Sequence, residues 1–201
     1  MTLAFDGSSI DGSSYSYVVG LARDAPSWLD TLVRDWSTYG LGLFAVLMLL
    51  GWWQARHHSA RAAVTALMVP VVVVVAYGVN SVFKLLVRED RPCRSMRVRT
   101  LEACPAPGDW SFPSNHAVVA AAAAVALLLV SRRLGTVALV AACAMAAARV
   151  WVGAHYPHDV VAGVLVGTLI ARTLTAFLAR ISDPLAERLT RSRLRALLVP
   201  A

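Results

Sequence analysis

Three short clusters of polar residues interrupt the apolar runs of this sequence, and their residue types suit phosphate chemistry. They comprise Lys84, Arg91 and Pro92 after one apolar run, Ser114, Asn115 and His116 before the next, and Arg149, His155 and Asp159 between the last two. Arginine holds phosphate oxygens through paired N–H donors, and lysine neutralises them as a point charge. A neutral imidazole can attack phosphorus, a carboxylate on its other nitrogen fixes the tautomer, and a second imidazole can protonate the leaving oxygen. Together the clusters predict phosphoryl transfer.

The spacing inside the third cluster supports this interpretation. His155 and Asp159 are four residues apart, and Pro157 between them suits the first position of a helix. We therefore expect the two side chains to approach each other across a loop–helix junction. Ser114 and the free amides at the start of a helix can add phosphate donors. Each residue alone has a simpler interpretation, since Ser114 is a typical helix N-cap and a basic residue beside an apolar run is often an interfacial anchor.

The composition indicates which elements must position these residues. Hydrophobic residues make up 58% of the 201 residues and charged residues 15%, against roughly 45–50% and ~25% in typical globular proteins. Such a chain can bury enough apolar surface to exclude disorder, and three cysteines exclude a disulfide-dense module. Lysine and arginine exceed the acids by 19 to 12, which favours phosphate-bearing partners or lipid headgroups over nucleic acid. The sequence predicts an all-α, polytopic membrane helix bundle.

A transmembrane helix needs about 20 apolar residues, and five runs of this kind are predicted. They are Trp36–Trp53, Ala62–Phe83, Ala117–Val130, Leu134–Ala148 and Val160–Leu178. The apolar residues within 1–35 recur at helical spacing, which predicts an amphipathic helix on the membrane surface, interrupted at Pro26; a partly ordered leader is the alternative. We expect residues 36–180 to form the transmembrane catalytic domain and residues 181–201 a basic cytoplasmic tail.

Positive charge predicts the orientation. Arg56 and Arg61, Arg132 and Arg133, and the five arginines from residue 180 onward all fall on one side, which should be cytoplasmic. The loop from residue 84 to 116 then lies outside, although it carries one lysine and five arginines against four acids. We therefore expect the clusters to face the outer side of the membrane.

The clusters resemble the three-part signature of the type 2 phosphatidic acid phosphatase (PAP2) superfamily, over about residues 36–180. The signature is Lys-x6-Arg-Pro, then Pro-Ser-Gly-His, then Ser-Arg-x5-His-x3-Asp, and this chain departs from it at two positions. Asn115 replaces the glycine and Ala148 replaces the serine. Asparagine is the residue besides glycine that best adopts a left-handed backbone, so we expect the loop to keep its shape. Ala148 removes one hydroxyl contact.

The resemblance implies roles for these residues. His155 would be the nucleophile that becomes a phosphohistidine, oriented by Asp159, and His116 would be the general acid. Lys84, Arg91, Ser114, Arg149 and the Asn115 amide would hold the phosphoryl oxygens. The family works without metal or cofactor. Within it, the chain resembles bacterial undecaprenyl-diphosphate phosphatases of the bacitracin-resistance type, which implies a polyprenyl diphosphate substrate; phosphatidylglycerophosphate and phosphatidic acid are the alternatives. The same resemblance implies a bacterial cell (inner) membrane, with the clusters on its extracellular or periplasmic side.

Several residues outside the signature have open interpretations. Cys93 and Cys104 could form a disulfide in the outer loop or remain free thiols. Cys143 is expected to be a small apolar packing residue, and His158 a loop or interface residue. A second phosphate could be held by Arg88, Arg94, Arg97 and Arg99, although headgroup binding is the simpler role. A non-catalytic phospholipid-binding protein or a transporter remains an alternative to the enzyme.

Overall fold

Helices dominate the chain, as its apolar runs predict. The computed structural model describes residues 4–96 and 98–199, and nine helices are found within them. They are α1 (Ser8–Asp24), α2 (Ser27–Tyr39), α3 (Leu41–Arg56), α4 (Ala60–Val87), α5 (Pro92–Ser95), α6 (Asn115–Val130), α7 (Arg132–Trp151), α8 (Pro157–Thr190) and α9 (Arg195–Leu198). An isolated β-bridge between Phe5 and Glu89 ties the N-terminal segment to the end of α4. The prediction of an all-α membrane bundle is confirmed.

The helices account for the predicted membrane spans with two changes. Helices α4, α7 and α8 are each long and apolar enough to cross a membrane. The first predicted span is instead a bent pair, because α2 and α3 meet at Gly40 with an angle of 53° and qualify only together. Helix α6 is apolar but has only 16 residues, a length of about 24 Å. Most of its residues are enclosed by other helices, and Leu128 and Leu129 near its end are exposed.

Helix α6 is the centre of the bundle, and it contacts α3, α4, α7 and α8. Its alanine-rich face is almost completely buried, and small side chains allow neighbouring helices to come close. Opposite it on α8, a Cβ atom added to Gly163 would lie 2.7 Å from the Ser114 carbonyl oxygen, and one on Gly167 would lie 2.4 Å from that of Val118. These glycines therefore fix the approach of α8 to the first turn of α6, where Ser114 and His116 are located.

The N-terminal helices turn part of their apolar surface toward the protein. Tyr15, Val19 and Ala22 of α1 are buried, and Tyr15 and Val19 pack with Val150 and Tyr156. The apolar stripe predicted in this segment is present, and on α1 its buried residues cover the ends of α7 and α8. Helix α2 begins directly after Pro26, as the sequence indicates.

The C-terminal segment differs from the predicted tail. Helix α8 continues past residue 180 through Pro184 to Thr190, and Leu198 of α9 is buried against Ala63 and Val64 of α4. The prediction for Cys143 is wrong, because this residue is exposed on the outside of α7. In the midst of a run of alanines, hydropathy alone does not say which face of the helix is buried.

Candidate active site

All three polar clusters meet at one end of the bundle, here called the site end, where α4 ends and α6 and α8 begin. His155 is buried there, and the charges of Arg91, Arg149, Lys84 and His116 all act on it. The three clusters therefore lie close together, as phosphoryl transfer by their residues would require.

The lysine and the arginine of the first cluster donate hydrogen bonds to the backbone of the loop before α6. Lys84 Nζ donates to the carbonyl oxygens of Trp110 and Ser111. Arg91 Nε donates to the Asp109 carbonyl oxygen at 3.2 Å, and Nη2 pairs with the Asp109 carboxylate at 2.9 Å. Both side chains are buried. They can therefore hold the loop in place in addition to facing an anion.

Arg91 also defines the tautomer of His155. Its Nη1 lies 3.0 Å from His155 Nε2 and donates to the Ala154 carbonyl oxygen at the same distance. A guanidinium group can only donate hydrogen bonds, so His155 Nε2 must be the acceptor and the ring proton must be on Nδ1. The unprotonated nitrogen thus lies beside a cation that could hold a phosphoryl group.

The electrostatics keep this imidazole neutral. Burial, followed by the positive charges of Arg91 and Arg149, holds the pKa of His155 well below its ordinary value of 6.5. Only the neutral ring has a lone pair for attack on phosphorus. The site therefore provides an unprotonated nucleophile at neutral pH without a separate base.

Ser111 connects His155 to Asp159, and sequence reasoning missed it. Its hydroxyl donates to Asp159 Oδ2 at 2.5 Å and lies 3.3 Å from His155 Nδ1. The direct distance from His155 Nδ1 to Asp159 Oδ2 is 3.4 Å. The Nδ1 proton thus faces both the hydroxyl and the carboxylate. Ser111 lies outside the signature spacing, and its only signal was its place in the same loop as Ser114.

Asp159 is fixed by the start of its own helix. Pro157 occupies the first position of α8, as predicted, and Tyr156 is the N-cap. The Tyr156 amide donates to Asp159 Oδ2 at 2.8 Å, so the helix start orients the carboxylate toward His155. Asp159 is completely buried, and its Oδ1 atom has no hydrogen-bond partner within the described residues.

The first turn of α6 presents donors to the same space. Ser114 occupies the N-cap position, but its hydroxyl makes no capping bond, is buried and lacks a partner among the described residues. The amides of the first turn have no intrahelical acceptor. Because Ser114 Oγ is uncommitted and the helix dipole favours an anion here, this turn can bind phosphate oxygens.

The expectation that Asn115 replaces glycine by adopting a left-handed backbone is wrong. In the described residues, Arg88 is the one non-glycine residue with a positive φ, so Asn115 needs no left-handed backbone; it is the first residue of α6. Its side-chain oxygen accepts from Asn80 Nδ2 at 2.6 Å, and the same amide group donates to the Pro113 carbonyl oxygen. Asn80 was not predicted, although a buried amide in an apolar span was a signal.

Arg149 is held by two residues from outside the signature. Its Nη1 donates to the Ser37 hydroxyl and pairs with Glu102 Oε1 at 2.9 Å. Ser37 in turn donates to the same carboxylate oxygen at 2.7 Å. An anionic group thus already bridges α2 and α7 beside the site, and Arg149 Nε is buried without an acceptor among the described residues.

His158 forms ion pairs that its predicted role as a loop or interface residue did not include. Its Nδ1 lies 2.8 Å from Asp11 Oδ1, and its Nε2 lies 3.0 Å from Glu89 Oε1 and 3.6 Å from Asp159 Oδ1. Since both nitrogens face carboxylates, both act as donors and the ring is an imidazolium. Glu89, His158 and Asp159 are close enough to form a metal site, but His158 would first have to lose one of its two ring protons.

The outer loop is closed by the Cys93–Cys104 disulfide, which resolves the two alternatives for these cysteines. Arg94 donates to the Pro105 carbonyl oxygen within that loop, and the Arg99 carbonyl oxygen accepts from Arg23. Arg88 donates to the Leu85 carbonyl oxygen. Arg97 lies outside the described residues. The predicted second phosphate site therefore remains a prediction.

The chain is similar in sequence to one protein family and to several phosphatases. Residues 65–183 match the PAP2 superfamily. The chain is 28% identical to undecaprenyl-diphosphatase BcrC of Bacillus subtilis over 179 residues, covering 82% of this chain and 88% of the relative. It is 35% identical to an undecaprenyl-diphosphatase of Sulfolobus acidocaldarius over 99 residues, or 49% of this chain and 48% of the relative. It is also 36% identical to a decaprenylphosphoryl-5-phosphoribose phosphatase of Mycobacterium tuberculosis over 97 residues, or 48% and 51%.

No solved structure matches the chain. The family match, by contrast, includes all three polar clusters at the site end and extends over more than half of the sequence. On this ground the chain belongs to the PAP2 superfamily.

Proposed function

We propose that this PAP2-type phosphatase removes the terminal phosphate from a polyprenyl diphosphate such as undecaprenyl diphosphate, at the outer face of a bacterial cell membrane. The observation that carries the proposal is His155, a buried and neutral imidazole with its unprotonated Nε2 beside Arg91 and its Nδ1 facing Ser111 and Asp159. This is the arrangement that a phosphohistidine mechanism requires.

In the first step, His155 Nε2 attacks the terminal phosphorus, and the bond from phosphorus to the bridging oxygen breaks. His116, as an imidazolium, donates a proton to that oxygen and becomes neutral, so the lipid monophosphate leaves as a monoanion instead of a dianion. The new bond places positive charge on the His155 ring, which Asp159 stabilises through Nδ1 and Ser111. The negative charge on the equatorial oxygens would be stabilised by Arg149, Arg91, Lys84, Ser114 Oγ and the Asn115 amide.

In the second step, a water molecule attacks phosphorus on the side opposite His155. His116, now neutral, accepts a proton from that water, and the bond between phosphorus and Nε2 breaks to release inorganic phosphate. The cationic side chains supply the charge neutralisation that Mg²⁺ supplies in other phosphoryl transfers. We therefore propose that the reaction needs no metal ion.

The choice of lipid depends on the relatives. Two are named undecaprenyl-diphosphatases, and the first of them aligns with most of this chain. The mycobacterial relative acts, by its name, on a decaprenylphosphoryl sugar phosphate. All three names share a long prenyl chain and a terminal phosphate, which favours a prenyl lipid over phosphatidylglycerophosphate or phosphatidic acid.

The test is phosphate release by the purified protein in detergent with excess chelator. Undecaprenyl diphosphate, phosphatidylglycerophosphate and phosphatidic acid would be compared at equal micellar fraction. We expect the prenyl substrate to be hydrolysed fastest, His155→Ala to abolish release, and His116→Ala to reduce it to near background.

Each other result would contradict a distinct part of the proposal. Full activity in His155→Ala would exclude the phosphohistidine mechanism, and loss of activity on chelation would exclude metal independence. Preference for a glycerolipid would keep the mechanism and overturn the substrate. No release from any lipid would favour the non-catalytic binding protein.

A further inference from the structure

A groove runs along the lipid-exposed side of α7, between that helix and the bent pair α2–α3. Its part nearest the site has a volume of about 360 Å³ and is lined by Leu32, Val33, Trp36, Ala144, Ala147, Ala148 and Trp151. A second part of about 460 Å³ shares Trp36 and Ala144 with the first and continues to Thr136. From Trp151 to Thr136 the helix rises about 22 Å, a large part of the ~30 Å thickness of a hydrocarbon core.

One end of the groove lies next to the phosphate-binding residues of the proposed site. Its two walls contain Trp36 on α2 and Ala148 on α7, and the next residue of each helix is Ser37 and Arg149. These two contact each other directly. On both walls, the apolar groove is therefore one residue away from the contact between Ser37 and the buried Arg149 guanidinium group.

Two further observations indicate that this end of the groove accepts an anionic ligand. Arg149 is only 5% exposed, yet its Nε–H has no acceptor among the described residues, and neither has the buried indole N–H of Trp36. Buried donors without acceptors are rare, because each costs the free energy of its lost hydration. The carboxylate of Glu102 already bridges Ser37 and Arg149, which shows that an anion fits there.

We propose that this groove holds the long apolar chain of the substrate lipid, with the lipid's phosphate group reaching Arg149 at the groove's end. The inference rests on the proposed function and adds the path of the chain. The proposal also explains the small residues of the groove, because Ala144, Ala147 and Ala148 leave it open where larger side chains would fill it. Ala148, which replaces the family's serine, is part of the apolar wall.

The groove's contribution is expected to be orientation more than affinity. A chain that leaves it enters hydrocarbon rather than water, so no hydrophobic free energy is lost and only packing contacts change. A blocked groove would instead make the lipid approach from another side and displace its phosphate. Displacements of about 1 Å at a reacting atom can cost about a hundredfold in rate.

The first test is to fill the groove with Ala144→Phe or Ala147→Phe, both exposed positions at which a larger side chain meets no core. The readout is the ratio of kcat/KM for undecaprenyl diphosphate to kcat/KM for dimethylallyl diphosphate, whose five-carbon chain is too short to follow the groove. We expect this ratio to fall at least about tenfold. Cys143→Phe is the matched control, because Cys143 is exposed on the same helix outside both parts of the groove. An unchanged ratio in both groove variants would overturn the inference while leaving the function in place.

The second test does not depend on turnover. Ala147→Cys in a Cys143→Ala background would be labelled with an apolar maleimide in detergent, with the native Cys143 of the parent protein as control. A non-hydrolysable undecaprenyl phosphonate should slow labelling at position 147 at least about fivefold and leave Cys143 unaffected. Equal protection by phosphatidylcholine would show ordinary bilayer lipid in the groove, and protection that depends on protein concentration would show a second copy; either would refute the proposal. Failure of the function itself would appear separately, as absence of phosphate release from both substrates.

Discussion

Substitution of His158 by glutamine should destabilise the site end through the loss of a single charge. His158 lies between the carboxylates of Asp11 and Glu89 and faces Asp159. The glutamine amide can still donate a hydrogen bond, so the change mainly removes the imidazolium charge. Glu89 is 1% exposed and Asp159 is fully buried, and the ligand atoms of the two carboxylates and His158 lie within 4.8 Å of one another.

The magnitude follows from Coulomb's law. Two carboxylates about 4.8 Å apart at an effective dielectric constant of about 20 repel each other by about 3 kcal/mol, and the imidazolium now offsets this repulsion. We therefore expect His158→Gln to lower the free energy of unfolding by about 3 kcal/mol, in line with other broken buried ion pairs. For a chain of this size that corresponds to a fall in Tm of about 6–12 °C.

Thermal unfolding in detergent, followed by circular dichroism, would measure the effect. Adding Glu89→Gln to His158→Gln removes one of the repelling charges, so the double variant should recover most of the lost stability. The exposed His58→Gln is the control. A double variant no more stable than His158→Gln would refute the electrostatic explanation.

Three further predictions concern turnover of the prenyl substrate. Ser111→Ala should lower kcat about tenfold to a hundredfold with little change in KM, because His155 loses the hydroxyl that links it to Asp159; an unchanged kcat would exclude this role. Glu102→Gln should lower KM about fivefold, because the carboxylate that competes with phosphate for Arg149 loses its charge, a pair worth about 1 kcal/mol at this exposure; a higher KM would mean that Glu102 positions Arg149. In the pH profile, the acid limb of kcat/KM should lie below pH 6.5, because the lowered pKa of His155 keeps the ring unprotonated at that pH. An acid limb at or above pH 6.5 would contradict the assignment.

The membrane helices could be predicted because hydropathy over about 20 residues reports burial in lipid directly. The bend at Gly40 could not, because the polar first half of α2 indicated a separate interfacial helix and not the start of a span. Cys143 shows the same limit, since every face of α7 is apolar or small and the sequence does not say which one contacts lipid. Length and hydropathy thus predict that a span exists more readily than they predict its ends or its rotation.

The signature residues of the site could be predicted because their spacing is set by local geometry, such as the helix start that joins His155 to Asp159. The contacts that hold them could not. Asp11 and His158 are 147 residues apart, and Ser37 and Arg149 are 112 apart. Such pairs depend on how α1 and α2 fold over the site end, which no local pattern encodes. Asp11 and Ser37 therefore escaped notice, although Ser37 contacts Arg149 directly and Asp11 contacts His158, the neighbour of Asp159 in the chain.

These same distant contacts explain how the chain can depart from the family signature and keep the geometry that phosphoryl transfer requires. Ala148 removes a hydroxyl beside Arg149, but Ser37 supplies one from α2 to the same guanidinium group. Asn115 adds a side chain where the family has none, and Asn80 takes up its oxygen while also holding the Pro113 carbonyl. In each case a residue from another helix makes a hydrogen bond with the group that the substitution leaves or introduces. The substitutions therefore argue for a variant of the site adapted to its surroundings, and against loss of the reaction.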